Sequence, residues 1–338
     1  MKLAVVSTTI HGEKGYLAFD RLAQKSPFSR VCFVISGDRN SKPFDSSQFK
    51  CEVEYLDVEV QGKYHCSEPM GWQKIMRRNT ALLRAIELKP DYILIIDDDN
   101  VPDNDYFDVW HRTITTPVGK IAVPTDSQGP HWHNYLKTSD ADIEIYPRGY
   151  PVPYRWKDNT QIENAKTPIS NSKIGVYQGI SLGDPDIDVI TRIIYPKPIS
   201  SIGQKDYCLR NVWSPYNTQN TMFSKWLFPL AFVWPHCGRY DDIYSSFAWQ
   251  KLLFNNDMYA FVGEAVNNQN RGQRNILKDM QNEVEGYVNS HLIWEAINQI
   301  DAKDPVDFIR ALMNCKQEII ARHSDFMSAY LRDLEQVL

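Results

Sequence analysis

The 338-residue sequence predicts an α/β fold with a mostly parallel central sheet. Three observations carry this. Strand-like apolar runs alternate with helix-like segments through the N-terminal third. Tyr92-Ile93-Leu94-Ile95-Ile96 is continuously apolar, as strands buried on both faces are. The segment before it, Trp72 to Leu88, carries Ile75, Leu82, Leu83 and Ile86 at helical spacing and is stopped by Pro90.

In chain order, Leu3 to Ile10 reads as a first strand and His11 to Gln24 as helical. Arg30 to Ile35 is a second strand broken by Ser36-Gly37-Asp38, and Cys51 to Val58 a short third one. From about Pro124 to Trp234 the chain is dense in Pro, Gly, Asn and aromatics, which predicts a long, loop-rich substrate region. From Asn282 onward it turns helical. Ile319, Phe326, Tyr330 and Leu334 lie beside Ile320, Met327 and Leu331 on one stripe suited to core packing or to a homo-oligomer contact. The expected organisation is a catalytic unit over 1–285, divided near 123/124 into a ligand-binding part and an acceptor or loop-rich part, followed by a helical extension over 286–338.

A composition of 43% hydrophobic and 23% charged residues is that of a folded globular protein. A net charge of −5 provides no basic field for nucleic acid or an acidic membrane surface. An anionic ligand then needs local arginines or a cation. The six cysteines are scattered without zinc spacing, which fits buried thiols in a reducing compartment. No apolar run is long enough for a membrane span, so a cytoplasmic protein is expected.

The apolar strand delivers Asp97-Asp98-Asp99-Asn100. In extended chain Asp97 and Asp99 share a face and Asp98 points away. Crowded carboxylates raise each other's pKa unless a cation relieves them, and Mg²⁺ or Mn²⁺ suits such all-oxygen sites. A helix cap or turn is the structural alternative. Two chemistries fit. One is an aspartyl-phosphate phosphatase, whose motif comes early and continues to Thr. The other is glycosyl transfer, in which a metal bridges a sugar-nucleotide diphosphate. This motif comes late and continues to Asn-Val-Pro, which favours the second.

Other segments add candidates. Arg78 in Arg77-Arg78-Asn79 can face a phosphate or solvent. Asp38 can touch a base or ribose, or serve its turn. Arg148-Gly149-Tyr150-Pro151-Val152-Pro153-Tyr154-Arg155 combines guanidinia with aromatics, suited to diphosphate and sugar faces or to a structural loop. Gly238-Arg239-Tyr240-Asp241-Asp242 offers a general base at Asp241 or Asp242 with Arg239 beside it, or a surface cluster opening a helix. His131-Trp132-His133 reads as loop packing or a sugar platform rather than as a zinc site.

Arg78-Asn79, the acidic strand end, Asn217-Thr218-Gln219-Asn220-Thr221 and the basic, amide-rich Gln269-Asn270-Arg271…Arg274-Asn275…Lys278-Asp279 together resemble the STELLO-type glycosyltransferase family. The acidic strand end, Arg148-Gly149-Tyr150-Pro151 with Arg155, and Gly238 to Asp242 are similar to the reversibly glycosylated polypeptides, which include UDP-arabinopyranose mutases. Both resemblances, spanning about residues 70 to 280, imply a GT-A-like nucleotide-sandwich fold, a nucleotide-sugar donor (UDP-linked) and Mn²⁺ or Mg²⁺. By carry-over, Asp97 and Asp99 serve metal and diphosphate. Arg78, Asn79, Arg271 and Arg274 join Asp38 and Arg148 around the nucleotide. Asn217, Gln219, Asn220 and Arg239 face the substrate, and Asp241 or Asp242 acts on the acceptor. Arg155 matches the arginine that is glycosylated in the mutase-type family. Two departures weigh against the mutase reading: Val266-Asn267-Asn268 stands where that family has Trp-His, and Trp156 replaces a Glu. Without that His, the metal is expected to bind weakly until a diphosphate arrives. A catalytically silent scaffold whose C-terminal helices bind a partner is the non-enzymatic alternative.

Overall fold

A computed structural model describes residues 1–157, 159–269 and 275–338. Its strands are β1 (Lys2–Thr8), β2 (Arg30–Ser36), β3 (Glu52–Leu56), β4 (Tyr92–Ile96), β5 (Asn100–Pro102), β6 (Val118–Pro124), β7 (Thr160–Ile169), β8 (Ile174–Gly183), β9 (Tyr207–Leu209), β10 (Asn220–Ser224) and β11 (Tyr259–Gln269). They form one sheet in the order β3-β2-β1-β4-β10-β8-β11-β9-β6-β7, with β5 pairing β11.

The four-strand run β3-β2-β1-β4 is wholly parallel, with Val5 opposite both Phe33 and Leu94. Strand β10 then runs antiparallel to both β4 and β8. Following the pairings across the sheet, β7, β8 and β11 share the direction of β1 to β4, while β5, β6, β9 and β10 oppose it. The fold is therefore α/β with a mostly parallel central sheet.

Alternation along the strands feeds two cores. Ala4, Val6, Cys32, Val34, Ile93 and Ile95 pack on one side, under the helix Arg78–Glu87 and the C-terminal helices Pro305–Met313 and Ser324–Val337. Leu3, Val5, Phe33, Ile35, Leu94 and Ile96 pack on the other, with the helices Leu17–Ala23 and Tyr106–Thr115.

The expected break at 285/286 falls inside one continuous helix, Ile276–Asn298, whose Ile293, Trp294 and Ile297 join the first core. Phe326, Met327, Tyr330 and Leu334 of the expected stripe are buried in that core as well. Buried Asp333 ties the last helix to the N-terminal half by accepting the His65 and Cys66 amides, each at 2.8 Å. The His65 ring nitrogen Nδ1 lies 2.7 Å from the same oxygen that takes the His65 amide, a tie that no local sequence pattern announces.

The region read as loop-rich holds four strands, including β8 near the middle of the sheet. Glycines disguised β8. At Gly179 a Cβ would come within 2.3 Å of Asn220 Nδ2 and 2.8 Å of the Trp110 ring, so the strand needs glycine for close packing rather than for flexibility. All six cysteines are free thiols, and Cys32, Cys66, Cys208 and Cys237 are buried. Among the described residues no helix is long and apolar enough to cross a membrane.

Candidate functional site

In the order β3-β2-β1-β4 the strand order switches direction between β1 and β4, and ligands of open α/β sheets bind outside the carboxyl ends of strands at such a point. A cleft of about 350 Å³ lies there. Thr8, Thr9 and His11 come from the end of β1, Asp38 follows β2, Asp97, Asp98 and Asp99 follow β4, and Lys74 and Arg78 come from the segment entering the helix Arg78–Glu87. Extended-chain alternation does not survive here. The chain turns after Ile96, the Asn100 amide reaches back to the Asp97 carbonyl at 3.4 Å, and all three aspartates reach the cleft. The turn is packed from behind, since a Cβ on Gly15 would sit 2.1 Å from the Asp98 carbonyl oxygen.

The three carboxylates differ in what they hold. Asp97 Oδ1 accepts from Arg78 Nη2 at 2.7 Å. Asp98 accepts from the Thr9 hydroxyl, and burial, followed by the charge of Asp97, raises its carboxyl above the ordinary value. Asp99 is exposed, with Oδ1 accepting from Gln269 Nε2 at 3.0 Å. Asp38 is braced by the Lys74 amide at 3.0 Å and the Arg39 amide at 2.7 Å. Its wall position is consistent with either role expected of it, ligand contact or turn.

Among the described residues no three His, Cys, Asp or Glu side chains form a complete metal shell. A two-carboxylate site is still a fair fit for Mg²⁺ or Mn²⁺, which take one or two carboxylates and complete their shells with water and phosphate. Asp97 and Asp99 supply that hard-oxygen donor set, with Asp99 facing solvent.

A second ionic centre lies deeper. Arg148 donates to both oxygens of Asp186 at 2.9 and 2.6 Å and to Asp242 at 3.3 Å. Asp242 also accepts the Thr218 amide at 3.1 Å, and Asn217 Nδ2 donates to Asp186 at 2.9 Å. Among the described residues, Asp241 accepts the Asp242 amide on one oxygen, while the other is buried with no hydrogen-bond partner. Burial and the adjacent Asp242 push the Asp241 carboxyl well above the ordinary carboxylate range. Arg78 joins the two centres. Its second arm donates to Thr218 Oγ1 at 2.5 Å, and the surrounding Asp97, Asp242 and Asp241 outweigh the burial that opposes its charge.

Several expected ligand residues do structural work instead. Asn79 spends its amide on both backbone groups of Val233, at 2.8 and 2.9 Å. Asn220 sits under the sheet, accepting from the Tyr106 hydroxyl at 2.6 Å. Asn217 and Gln219 shape the loop before β10, with the Gln219 amide donating to Asn217 Oδ1 at 3.0 Å. Arg239 ties the helix Asp241–Asn255 to Glu283 at 2.7 Å and Asp279 at 3.4 Å. Arg148 is engaged in the deep centre and does not line the carboxylate cleft. Arg155 is 7% exposed, pairs with Asp188 at 2.5 Å and does not line the carboxylate cleft. Arg271 and Arg274 lie outside the described residues.

Sequence reasoning missed Thr9, Lys74, Thr218, Asp186 and Asp188. For the last two a signal existed: Asp184-Pro185-Asp186-Ile187-Asp188 places acids at alternate positions.

No family model and no curated protein matches this chain. Among solved structures it is similar to residues 1–349 of S. aureus TarS, solved alone and in complex with UDP-GlcNAc. There the TM-score is 0.39 and the identity 11%, over 99% of this chain and 91% of that one. It is also similar to glucosyl-3-phosphoglycerate synthase from Mycobacterium tuberculosis, in complex with Mn²⁺, uridine-diphosphate-glucose and phosphoglyceric acid. There the TM-score is 0.43 and the identity 11%, over 87% of this chain and 79% of that one. At these values neither likeness decides the fold family or the chemistry.

Proposed function

We propose that the cleft at the ends of β1, β2 and β4 is the donor site of a GT-A-like glycosyltransferase, which takes a UDP-linked or other nucleoside-diphosphate sugar with Mn²⁺ or Mg²⁺. One observation carries the reading: the turn after β4 brings Asp97, Asp98 and Asp99 into the switch-point cleft beside Arg78. Asp97 and Asp99 would hold the divalent cation, whose charge would offset that of the diphosphate and of the departing nucleotide.

Arg78 balances the cluster. Its pairing with Asp97 sets a guanidinium against that carboxylate, and its rigid fork to Thr218 fixes where the charge sits. Asp98, bonded to Thr9 and packed on Gly15, holds the turn rather than the ligand. Asp38 and Lys74, braced against each other, form the wall suited to base or ribose. On the acceptor side Asp241 is the better proton acceptor, because Asp242 is committed to Arg148 and Thr218. A raised carboxyl pKa brings Asp241 closer to the working range of a general base.

A thermal-shift panel of nucleotide sugars with and without Mn²⁺ tests the reading. Stabilisation by at least one donor should depend on the metal and vanish in Asp99→Ala. A flat response across all donors would leave the chain a scaffold without donor chemistry.

A further inference from the structure

A second, larger cleft of about 420 Å³ shares no residue with the carboxylate cleft. Its walls come from the segments 132–138 and 144–157, the start of β7, Gln204 and the start of β9. Six aromatic side chains line it: Trp132, Tyr135, Tyr146, Tyr150, Trp156 and Tyr207. Between them stand uncharged hydrogen-bonding groups, among them Asn134, Thr138, Gln161 and Gln204. Ile162 is the one aliphatic residue among the described lining. His133 is fixed between the Thr160 hydroxyl at 3.0 Å and the Tyr207 hydroxyl at 2.8 Å, so that wall is rigid.

Trp156 is the feature that folding does not account for. It is 75% exposed, the most exposed of the large hydrophobic side chains, and its φ is +59°, a region bulky L residues rarely occupy. The strain is held in place. The Trp156 amide donates to the Tyr146 hydroxyl at 2.8 Å, and the two rings meet edge-on with centroids 6.1 Å apart. A strained backbone that holds an indole out into solvent at the rim of a cleft indicates a binding role.

We infer that this cleft binds a neutral carbohydrate chain, with Trp156 as its stacking platform. The wall chemistry selects the class. A lipid or steroid calls for aliphatic walls, of which there is almost none. A phosphorylated ligand calls for a ring of cations or a helix N-terminus, and the lining includes Glu144 beside Lys137 and Lys157. A pyranose presents apolar C–H faces that lie on aromatic rings and an equatorial rim of hydroxyls that need neutral donors and acceptors. Tyr135 also borders the small space around Asp186, Asn217 and Gln219, so one wall is shared with the deep ionic centre.

The inference does not require the donor reading, because binding is expected without nucleotide or metal. The test uses the full chain with maltotriose, cellotriose, chitotriose and xylotriose, by calorimetry and tryptophan fluorescence. At least one should bind and shift the emission. Trp156→Ala should weaken that binding by about tenfold or more, the loss of one stacked ring. Trp156→Phe should keep most of the affinity while losing the emission shift. Trp156→Gly, which relieves the positive φ, should bind poorly yet melt no lower than the parent chain, which separates lost function from lost folding. If no oligosaccharide binds, or Trp156→Ala binds as the parent does, the inference is wrong. UDP with Mn²⁺ should bind the three variants unchanged, so a failure there would count against the donor reading alone.

Discussion

The carboxylate cleft and the ionic centre behind it are built from the same residue types and behave differently. In the cleft, Asp97, Asp98 and Asp99 lie at the end of a strand, with Asp99 exposed. In the deep centre, Asp186, Asp242 and Arg148 are 4%, 5% and 7% exposed and bonded to one another. The difference shows how position sets the use of a charge. At a strand end, water and ligand can complete a carboxylate's shell. Under the sheet each charge must be matched within the protein, and removing one partner leaves another stranded.

The sharpest break of that contrast is Arg148→Ala. It leaves Asp186 and Asp242 buried without their cation and should cost about 3–5 kcal/mol, read from urea unfolding. Gly15→Ala should come next. A methyl group 2.1 Å from the Asp98 carbonyl displaces the aspartate turn, with a cost of about 1–3 kcal/mol and weakened nucleotide-sugar binding.

Asp241→Asn probes the one carboxylate of the deep centre with an unmatched oxygen. The folded state raises this group, so it binds the proton more tightly than the unfolded chain does. Its contribution is therefore complete below the ordinary value of 3.8 and is lost as pH climbs above it towards the raised folded value. Stability curves should fall over that span in the parent chain and flatten in the variant, while turnover in the proposed sugar transfer drops. A variant curve parallel to the parent's would remove Asp241 as the source.

The smallest effect on folding belongs to Asp99→Ala, expected within about 0.5 kcal/mol because the side chain is exposed. Its effect on Mn²⁺-dependent ligand binding should be the largest of the four. Equal losses of stability in Asp99→Ala and Arg148→Ala would erase the distinction between the two regions.

Much of the parallel half of the fold was legible. Strand β4 matches its apolar run residue for residue, β3 lies within the run that predicted it, and β1 and β2 each extend one residue past theirs, at Lys2 and Ser36. Such strands are buried on both faces and must be apolar throughout. Strand β8 was not legible, because Gly175 and Gly179 leave room for Leu253 and Asn220 rather than filling it themselves. In the site, the aspartate cluster and Arg78 were readable because strand, acid run and neighbouring helix are close in sequence. Asn79, Arg148 and Asn220 had the right chemistry for a ligand, but their bonding partners lie 154, 38 and 114 positions away, and no local pattern shows that these groups are already taken.

The sequence by itself determined the α/β class, the four parallel strands β1 to β4 and the place where the acidic strand ends. These depend on periodicity and on residues that are neighbours along the chain. The tertiary structure decided which charges remain open to a ligand and which are closed inside Arg148–Asp186–Asp242 and Arg155–Asp188. It also decided that Trp156 stands over an aromatic cleft. Those outcomes depend on burial and on long-range pairing, which the folded chain alone brings about.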